Sequence, residues 1–419
     1  MSNSSDIKVE KQLQQSVKHG TVFSGYTVMA KSMIGSGILS ITFACARTGL
    51  ILGVFMLLLA AVLTWLSLHV ICKLSLEFPS DNVSFYSITE NVFPKFKWLL
   101  DVTVVVDCLG SAICFLHIMG TLLASAFMEL FAITALSFRQ LSIITQAALV
   151  VLLLPICLMR EITDTKIANI IGLLCLLYVA ILAMVYTNLD NFSTDLLYPV
   201  DFTKTIIAFP IMIFAFSCQQ NVLPVSSEMK NPTMRRLDTV TLSAIATGLL
   251  LYLPVMILPY LTFGRSNGQA ERIFDLLPQE KPAVIIGQFC AALSVGISFV
   301  LVVFPIRSSI MSLMYAGGST APATGSRKEF TIRVAIVSFI VAVCLGTSIG
   351  VGNKYEIALS FTGLLGANTC GFVMPFLMFL KHFGIKWTSP TSVAVLVSLV
   401  FCLALYPLGI TANVLELVQ

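Results

Sequence analysis

Long apolar runs follow one another from residue 21 to residue 413, and no other property of the chain limits its fold as strongly. A bilayer core takes about 20 apolar residues of helix, and backbone inside it must satisfy its own hydrogen bonds. Eleven such runs fall at 21–46, 49–73, 98–131, 141–159, 167–187, 204–229, 237–264, 283–313, 331–350, 355–380 and 389–413. With 57% hydrophobic and 11% charged residues in 419, the chain reads as an all-α integral membrane protein whose surroundings are a lipid bilayer. The eleven cysteines sit inside apolar segments without paired metal-ligand spacing, so neither a metal site nor another cofactor is expected. Basic residues do not gather with aromatics, so no nucleic-acid partner is expected, and function as a monomer is.

Orientation follows from lysine and arginine in the connections. If the polar segment 1–20 is a cytoplasmic tail, 17 of these residues lie on the inner side, 7 on the outer, and Lys31 within the membrane. That excess predicts a cytoplasmic N-terminus. The tail lacks an apolar core with a cleavage site, so no removable signal peptide is expected. The transmembrane domain is then 21–413. The sequon at Asn191 falls in an outer loop and is a glycosylation candidate.

Two spans break the apolar rule. The first carries Ala30-Lys31-Ser32-Met33-Ile34-Gly35-Ser36-Gly37-Ile38-Leu39-Ser40, with a lysine, two hydroxyls and two glycines in seven residues. The sixth carries Ser217-Cys218-Gln219-Gln220-Asn221 ahead of Pro224. Pro224 suits the first turn of a new half-helix, with the polar run before it free to unwind. Taken singly, small residues can serve tight helix packing and the proline an ordinary kink. Taken together, two interrupted spans that open successive five-span units point to inverted repeats around a midplane site. The repeats would be 21–187 and 204–380, with 389–413 an added helix.

The run Phe214-Ala215-Phe216-Ser217-Cys218, then Leu223-Pro224-Val225 and Glu228-Met229-Lys230-Asn231-Pro232-Thr233, resembles the signature of the amino acid/auxin permease family, especially its sodium-coupled neutral amino acid transporter branch. Further likenesses are Met33 to Leu39, Tyr260-Leu261-Thr262-Phe263-Gly264 and Phe304-Pro305-Ile306-Arg307-Ser308-Ser309. The resemblance covers nearly all of Lys18 to Leu405. It implies a LeuT-like fold of eleven transmembrane helices, five plus five inverted and one extra, and amino acid transport by alternating access.

In the family reading the substrate α-carboxylate meets N–H groups around Gly35, Ser36 and Gly37, at the positive end of the following half-helix. Glycine would accept unusual backbone angles and let the ligand approach the main chain. The α-ammonium would meet carbonyls at Ile34 and at Phe214, Ala215 or Ser217, with Phe216 covering the pocket. No acidic residue lines the pocket in these two spans, which favours neutral substrates over cationic side chains.

Lys31 stands near the middle of the bilayer, roughly 15 Å in at 1.5 Å per residue. Sodium-coupled members of the family commonly carry asparagine there, and proton-coupled relatives can carry lysine. An ammonium has no lone pair for a metal cation. Two readings follow: Lys31 replaces sodium and couples transport to H+, or it is permanently charged and pairs with Asp107 or span-end carbonyls. Ser298 supplies a hydroxyl where sodium-coupled relatives offer one, so H+ or Na+ remains as coupling ion. Span 3 carries Thr103, Asp107, Gly110, Ser111, Cys114, His117 and Thr121 as a polar stripe. Asp107 and His117 either relay protons or serve a packed interface.

Other functions are weighed against these residues. An enzyme is not expected, since the four histidines are scattered and no nucleophile or metal-protease motif appears. A channel would show a repeated filter-like loop. An amino acid-sensing receptor built on a transporter fold is the remaining alternative. The plasma membrane and vacuolar or lysosomal membranes are all compatible.

Overall fold

A computed structural model describes residues 20–35, 37–78, 85–159, 165–187, 193–198, 201–264, 273–315, 326–351 and 355–418. Ser36, Asn191 and nearly all of the 1–20 tail lie outside the described residues. The described chain is helical: α1 (Val22–Met33), α2 (Gly37–Thr48), α3 (Leu50–Glu77), α4 (Phe85–Val92), α5 (Lys97–Phe131), α6 (Phe138–Cys157), α7 (Lys166–Val185), α8 (Phe202–Ala215), α9 (Gln219–Glu228), α10 (Met234–Phe263), α11 (Pro282–Tyr315), α12 (Arg327–Val351), α13 (Tyr355–Phe361), α14 (Met374–Phe383) and α15 (Pro390–Val418). Wide π-helical turns at Thr362–Ala367 and Thr369–Val373 join α13 to α14.

Among the described residues, ten helices or helix pairs qualify singly as membrane spans, and α1 with α2, bent by 47°, makes the eleventh. The predicted span count therefore holds. Local signals set the ends. Thr21 caps α1 through a reciprocal box with Ser24, and Ser137 caps α6 with Gln140 in the same way. Gly49, at φ 73°, makes the one-residue turn between α2 and α3, a backbone conformation that costs glycine nothing.

Burial sorts the spans. Across the most apolar stretch of Thr203–Glu228, 94% of residues are buried, against 28% for Pro390–Leu415. The broken sixth span is thus the axis of the bundle, and α15 lies on its lipid-facing rim, as an added helix should. Around that axis α1 packs on α10 and α7, α2 on α8 and α10, and α11 along α5.

One local expectation fails. Gln219, Gln220 and Asn221 form the first turn of α9, which begins at Gln219, and Pro224 lies inside that helix. The unwound piece is earlier, at Phe216–Cys218. Two of the three buried amides find partners in place: Gln219 Oε1 accepts from the Cys218 N–H at 3.0 Å, and Asn221 Nδ2 donates to Ser32 Oγ at 2.5 Å. Buried polar groups that find such partners keep a helix wound where side-chain polarity alone suggests unwinding. Pro224 lacks the N–H that would reach the Gln220 carbonyl, which leaves this turn loosened.

At the N-terminal edge, Gly20 N–H donates to the Glu228 carbonyl at 3.0 Å, and Lys230 N–H donates to the Gly20 carbonyl at 2.8 Å. This short parallel bridge ties the start of α1 to the end of α9. A Cβ at Gly20 would stand 2.7 Å from the Glu228 oxygen, so only glycine allows the approach.

Candidate functional site

Four helix ends meet inside the bundle. α1 stops at Met33 and α2 restarts at Gly37, while α8 stops at Ala215 and α9 restarts at Gln219. At the first break the Ile34 N–H still reaches the Ala30 carbonyl at 2.8 Å, but Gly35 N–H turns back to the Met33 carbonyl at 2.9 Å. At the second, Phe216 N–H and Ser217 N–H close tight turns onto Ile213 and Phe214. The C-terminal ends of α1 and α8 present carbonyls and partial negative charge. The N-terminal ends of α2 and α9 present N–H groups and partial positive charge. One small volume therefore offers complementary poles, as a zwitterion requires.

The breaks enclose a cavity of about 10 Å³, lined by Ser32, Met33, Gly35, Gly37, Ser111, Phe115, Phe214, Ser217, Gln220 and Val302. That is room for about one water, so the protein is closed around its centre. Ser217 Oγ and Gln220 Oε1 are buried without a hydrogen-bond partner among the described residues. Unpaired buried polar atoms at a cavity wall are costly, about 1–3 kcal/mol each, and suit a site that receives a polar ligand when it opens.

The predicted residues distribute unequally. Gly35, Gly37, Phe214 and Ser217 line the cavity; Ile34 and Ala215 are not among its lining residues, and their carbonyls accept from Lys31 Nζ and Tyr252 Oη. Phe216 does not cover it. Its ring is fully buried and meets Tyr252 edge-on at 5.1 Å, while Phe115 and Phe214 close the cavity with a T-shaped pair at 6.2 Å. Gly35 and Gly37 supply space: a Cβ on Gly37 would stand 2.5 Å from Ala215 Cα, and one on Gly35 3.3 Å from Ser298 Oγ.

Lys31 is fully buried. Its ammonium donates to the Ile34 carbonyl at 3.0 Å and to Ser298 Oγ at 2.5 Å. Its stem lies against Gly172 of α7, whose carbonyl accepts from Ser294 Oγ at 3.0 Å. Among the described residues no carboxylate pairs with it. The expected partners thus divide: a break carbonyl and Ser298 hold Lys31, and Asp107 does not. Asp107, fully buried, faces Gly366 and accepts a weak contact from Cys370 Sγ at 3.4 Å. His117 lies ten residues farther along α5, roughly 15 Å away at 1.5 Å per residue, too far for direct proton exchange with Asp107.

With this geometry in view, comparison with known proteins decides the family. The family model described as "Transmembrane amino acid transporter protein" matches residues 18–418. The chain belongs to this family. Among curated relatives of these transporters, "Vacuolar amino acid transporter 5" of Schizosaccharomyces pombe is 24% identical over 358 residues, 84% of this chain and 82% of the relative. "Vacuolar amino acid transporter 7" of Saccharomyces cerevisiae is 28% identical over 300 residues, 68% of this chain and 58% of the relative. Among solved structures, "Crystal structure of MhsT in complex with L-phenylalanine" superposes with a TM-score of 0.60 at 13% identity, covering 94% of this chain and 97% of that one. At that identity the likeness concerns the fold alone, and it shows a LeuT-like architecture.

Two residues of this transporter's site escape a reading by segments. Tyr252 of α10 donates to the Met33 carbonyl at 2.9 Å and to the Ala215 carbonyl at 2.5 Å, so it touches both breaks. Nothing in its apolar neighbourhood along the sequence marks it. Phe115 is equally hidden, one aromatic among the apolar residues of a long span, whereas Ser111 and Gln220 carried a signal in the polar stripe and the polar run.

Proposed function

We propose that this transporter carries neutral amino acids by alternating access and couples the movement to H+ through Lys31. The observation that carries the coupling is the placement of the Lys31 ammonium on the Ile34 carbonyl and Ser298. A carbonyl freed by a helix break and a serine hydroxyl facing it are ligands suited to a monovalent cation. Here a lysine nitrogen takes them, and a nitrogen that gains or loses a proton is a carrier of H+ in the same place. Buried away from water and from any described carboxylate, the ammonium is held by dipoles alone, so its protonation is tied to the contacts of the first break. Release of the proton weakens the attraction of Lys31 for the Ile34 carbonyl and for Ser298, the contact that ties α1 to α11.

The substrate reading rests on the poles of the breaks and on the neutral lining. The N–H groups at the start of α2, from Gly37 on, would receive the carboxylate, joined by Ser36, which lies outside the described residues, and by Gly35 once its N–H leaves the Met33 carbonyl. The partial negative charge at the C-terminal ends of α1 and α8 would attract the ammonium, and Ser32, Ser111, Ser217, Gln220, Phe115 and Phe214 would surround an uncharged side chain. The relatives whose names specify vacuolar amino acid transport support a vacuole-type membrane, and the lysine and arginine excess in the connections supports a cytoplasmic N-terminus.

Reconstituted proteoliposomes test the proposal. With a pH gradient imposed in sodium-free buffer, the protein should concentrate neutral amino acids, and Lys31→Ala should abolish the gradient-driven component. Uptake that needs a sodium gradient, or unchanged pH-driven uptake in Lys31→Ala, would refute H+ coupling through this residue.

A further inference from the structure

The two breaks share a second convergence of oxygens, separate from the one Lys31 occupies. The Met33 carbonyl ends α1 and the Ala215 carbonyl ends α8, and both point at the Tyr252 hydroxyl, at 2.9 and 2.5 Å. Carbonyls at the C-terminal ends of half-helices carry partial negative charge, and pairs that converge from two broken spans are the chemistry that coordinates a small cation at a transporter midplane. The Oη distances lie within the usual O–H···O hydrogen-bond range of about 2.5–3.0 Å, so the hydroxyl is bonded to both oxygens. A phenol has a single proton to donate, so the two carbonyls share it.

We propose that the Tyr252 hydroxyl is a built-in stand-in for a cation between the broken helices, making the pairing of α1 with α8 independent of a metal ion. The side chain is fully buried, and its ring is fixed edge-on against Phe216 at 5.1 Å, so the hydroxyl is delivered to the carbonyls by a rigid support. Without that oxygen, two carbonyls of like polarity would face each other in a site sealed from solvent. A sodium ion would then be the favoured partner, since it restores positive charge at the point both oxygens address. Lys31, on the Ile34 carbonyl and Ser298, and Tyr252, on the Met33 and Ala215 carbonyls, place this chain's own donors at both convergences of oxygens. The inference rests on the H+ reading only in expecting that the native protein needs no sodium.

Tyr252→Phe tests it, because the ring contact with Phe216 is kept and only the oxygen is removed. Full-length native protein and variant are purified in detergent, and thermal unfolding is followed in sodium chloride and in choline chloride of equal ionic strength. The native midpoint should be equal in the two salts. The variant should melt lower than the native protein in choline and rise by several degrees as sodium is titrated in. Equal melting of the variant in both salts would overturn the proposal. If the native protein itself is stabilised by sodium, the H+ reading fails, while an additional sodium rise confined to the variant still supports the role of Tyr252. Should the variant be recoverable only when purified in sodium chloride, that outcome supports it; recovery in neither salt overturns it.

Discussion

Gly172→Ala gives the most direct measure of how firmly Lys31 is held. A methyl at this position would stand 2.5 Å from Lys31 Cε, 2.9 Å from Cδ and 3.1 Å from Ile297 Cδ1. Non-bonded carbons settle at about 3.5–4.0 Å, so the lysine stem would have to retreat by about 1 Å. An exposed lysine would swing aside at almost no cost. This one is fully buried with its nitrogen bonded to the Ile34 carbonyl and Ser298 Oγ, so retreat costs at least one of those bonds. A hydrogen bond to a charged group contributes about 1.5–3 kcal/mol, and overpacking by one methyl costs about 1–3 kcal/mol. The stem either bears the overlap or retreats and loses a bond, so the expected loss of stability is about 1–3 kcal/mol, with weakened pH-driven uptake. A double-mutant cycle with Lys31→Ala isolates the cause. Without the stem the methyl has room, and Gly172→Ala on that background should cost less than about 1 kcal/mol, a coupling of about 1–3 kcal/mol. Unfolding of the four proteins in detergent measures it, and additive effects would refute the contact as the reason for glycine at 172.

Two further predictions address the breaks themselves. Gly37→Ala should destabilise the protein by about 1–3 kcal/mol through the collision with Ala215, and it should lower substrate affinity in equilibrium binding, because α2 is pushed from α8 at the cavity wall. Gly20→Ala should open the bridge to Glu228 and Lys230, and limited proteolysis near residue 20 should accelerate while the unfolding midpoint of the bundle changes little.

Much of the architecture was readable because a bilayer imposes it. Every span needs a run of apolar residues long enough to cross, so span count and approximate ends follow from hydropathy, and a lysine beside two glycines cannot pass for ordinary span sequence. The two breaks were visible for the same reason. Their inner detail was not. Polarity suggested that Gln219 to Asn221 unwind, yet buried amides that bond to Cys218 N–H and Ser32 keep that turn helical, and the gap moves to Phe216–Cys218. Glycine at 37 was legible as a special residue, but its purpose was set by how near Ala215 approaches.

The sequence by itself determined that this chain spans a membrane, that its first and sixth spans are broken, and that Lys31 is the charged group the bilayer must accommodate. Tertiary structure alone decided which partners those groups meet. Lys31 is held by Ser298, which lies 267 residues away along the chain, and the two breaks are joined by Tyr252, an aromatic residue in a span with no polar signal at that point. The reason is physical: burial in lipid is a property of a segment and leaves its mark along the sequence. The choice of acceptor for a buried donor is a property of packing, and packing brings together residues that sequence order keeps far apart.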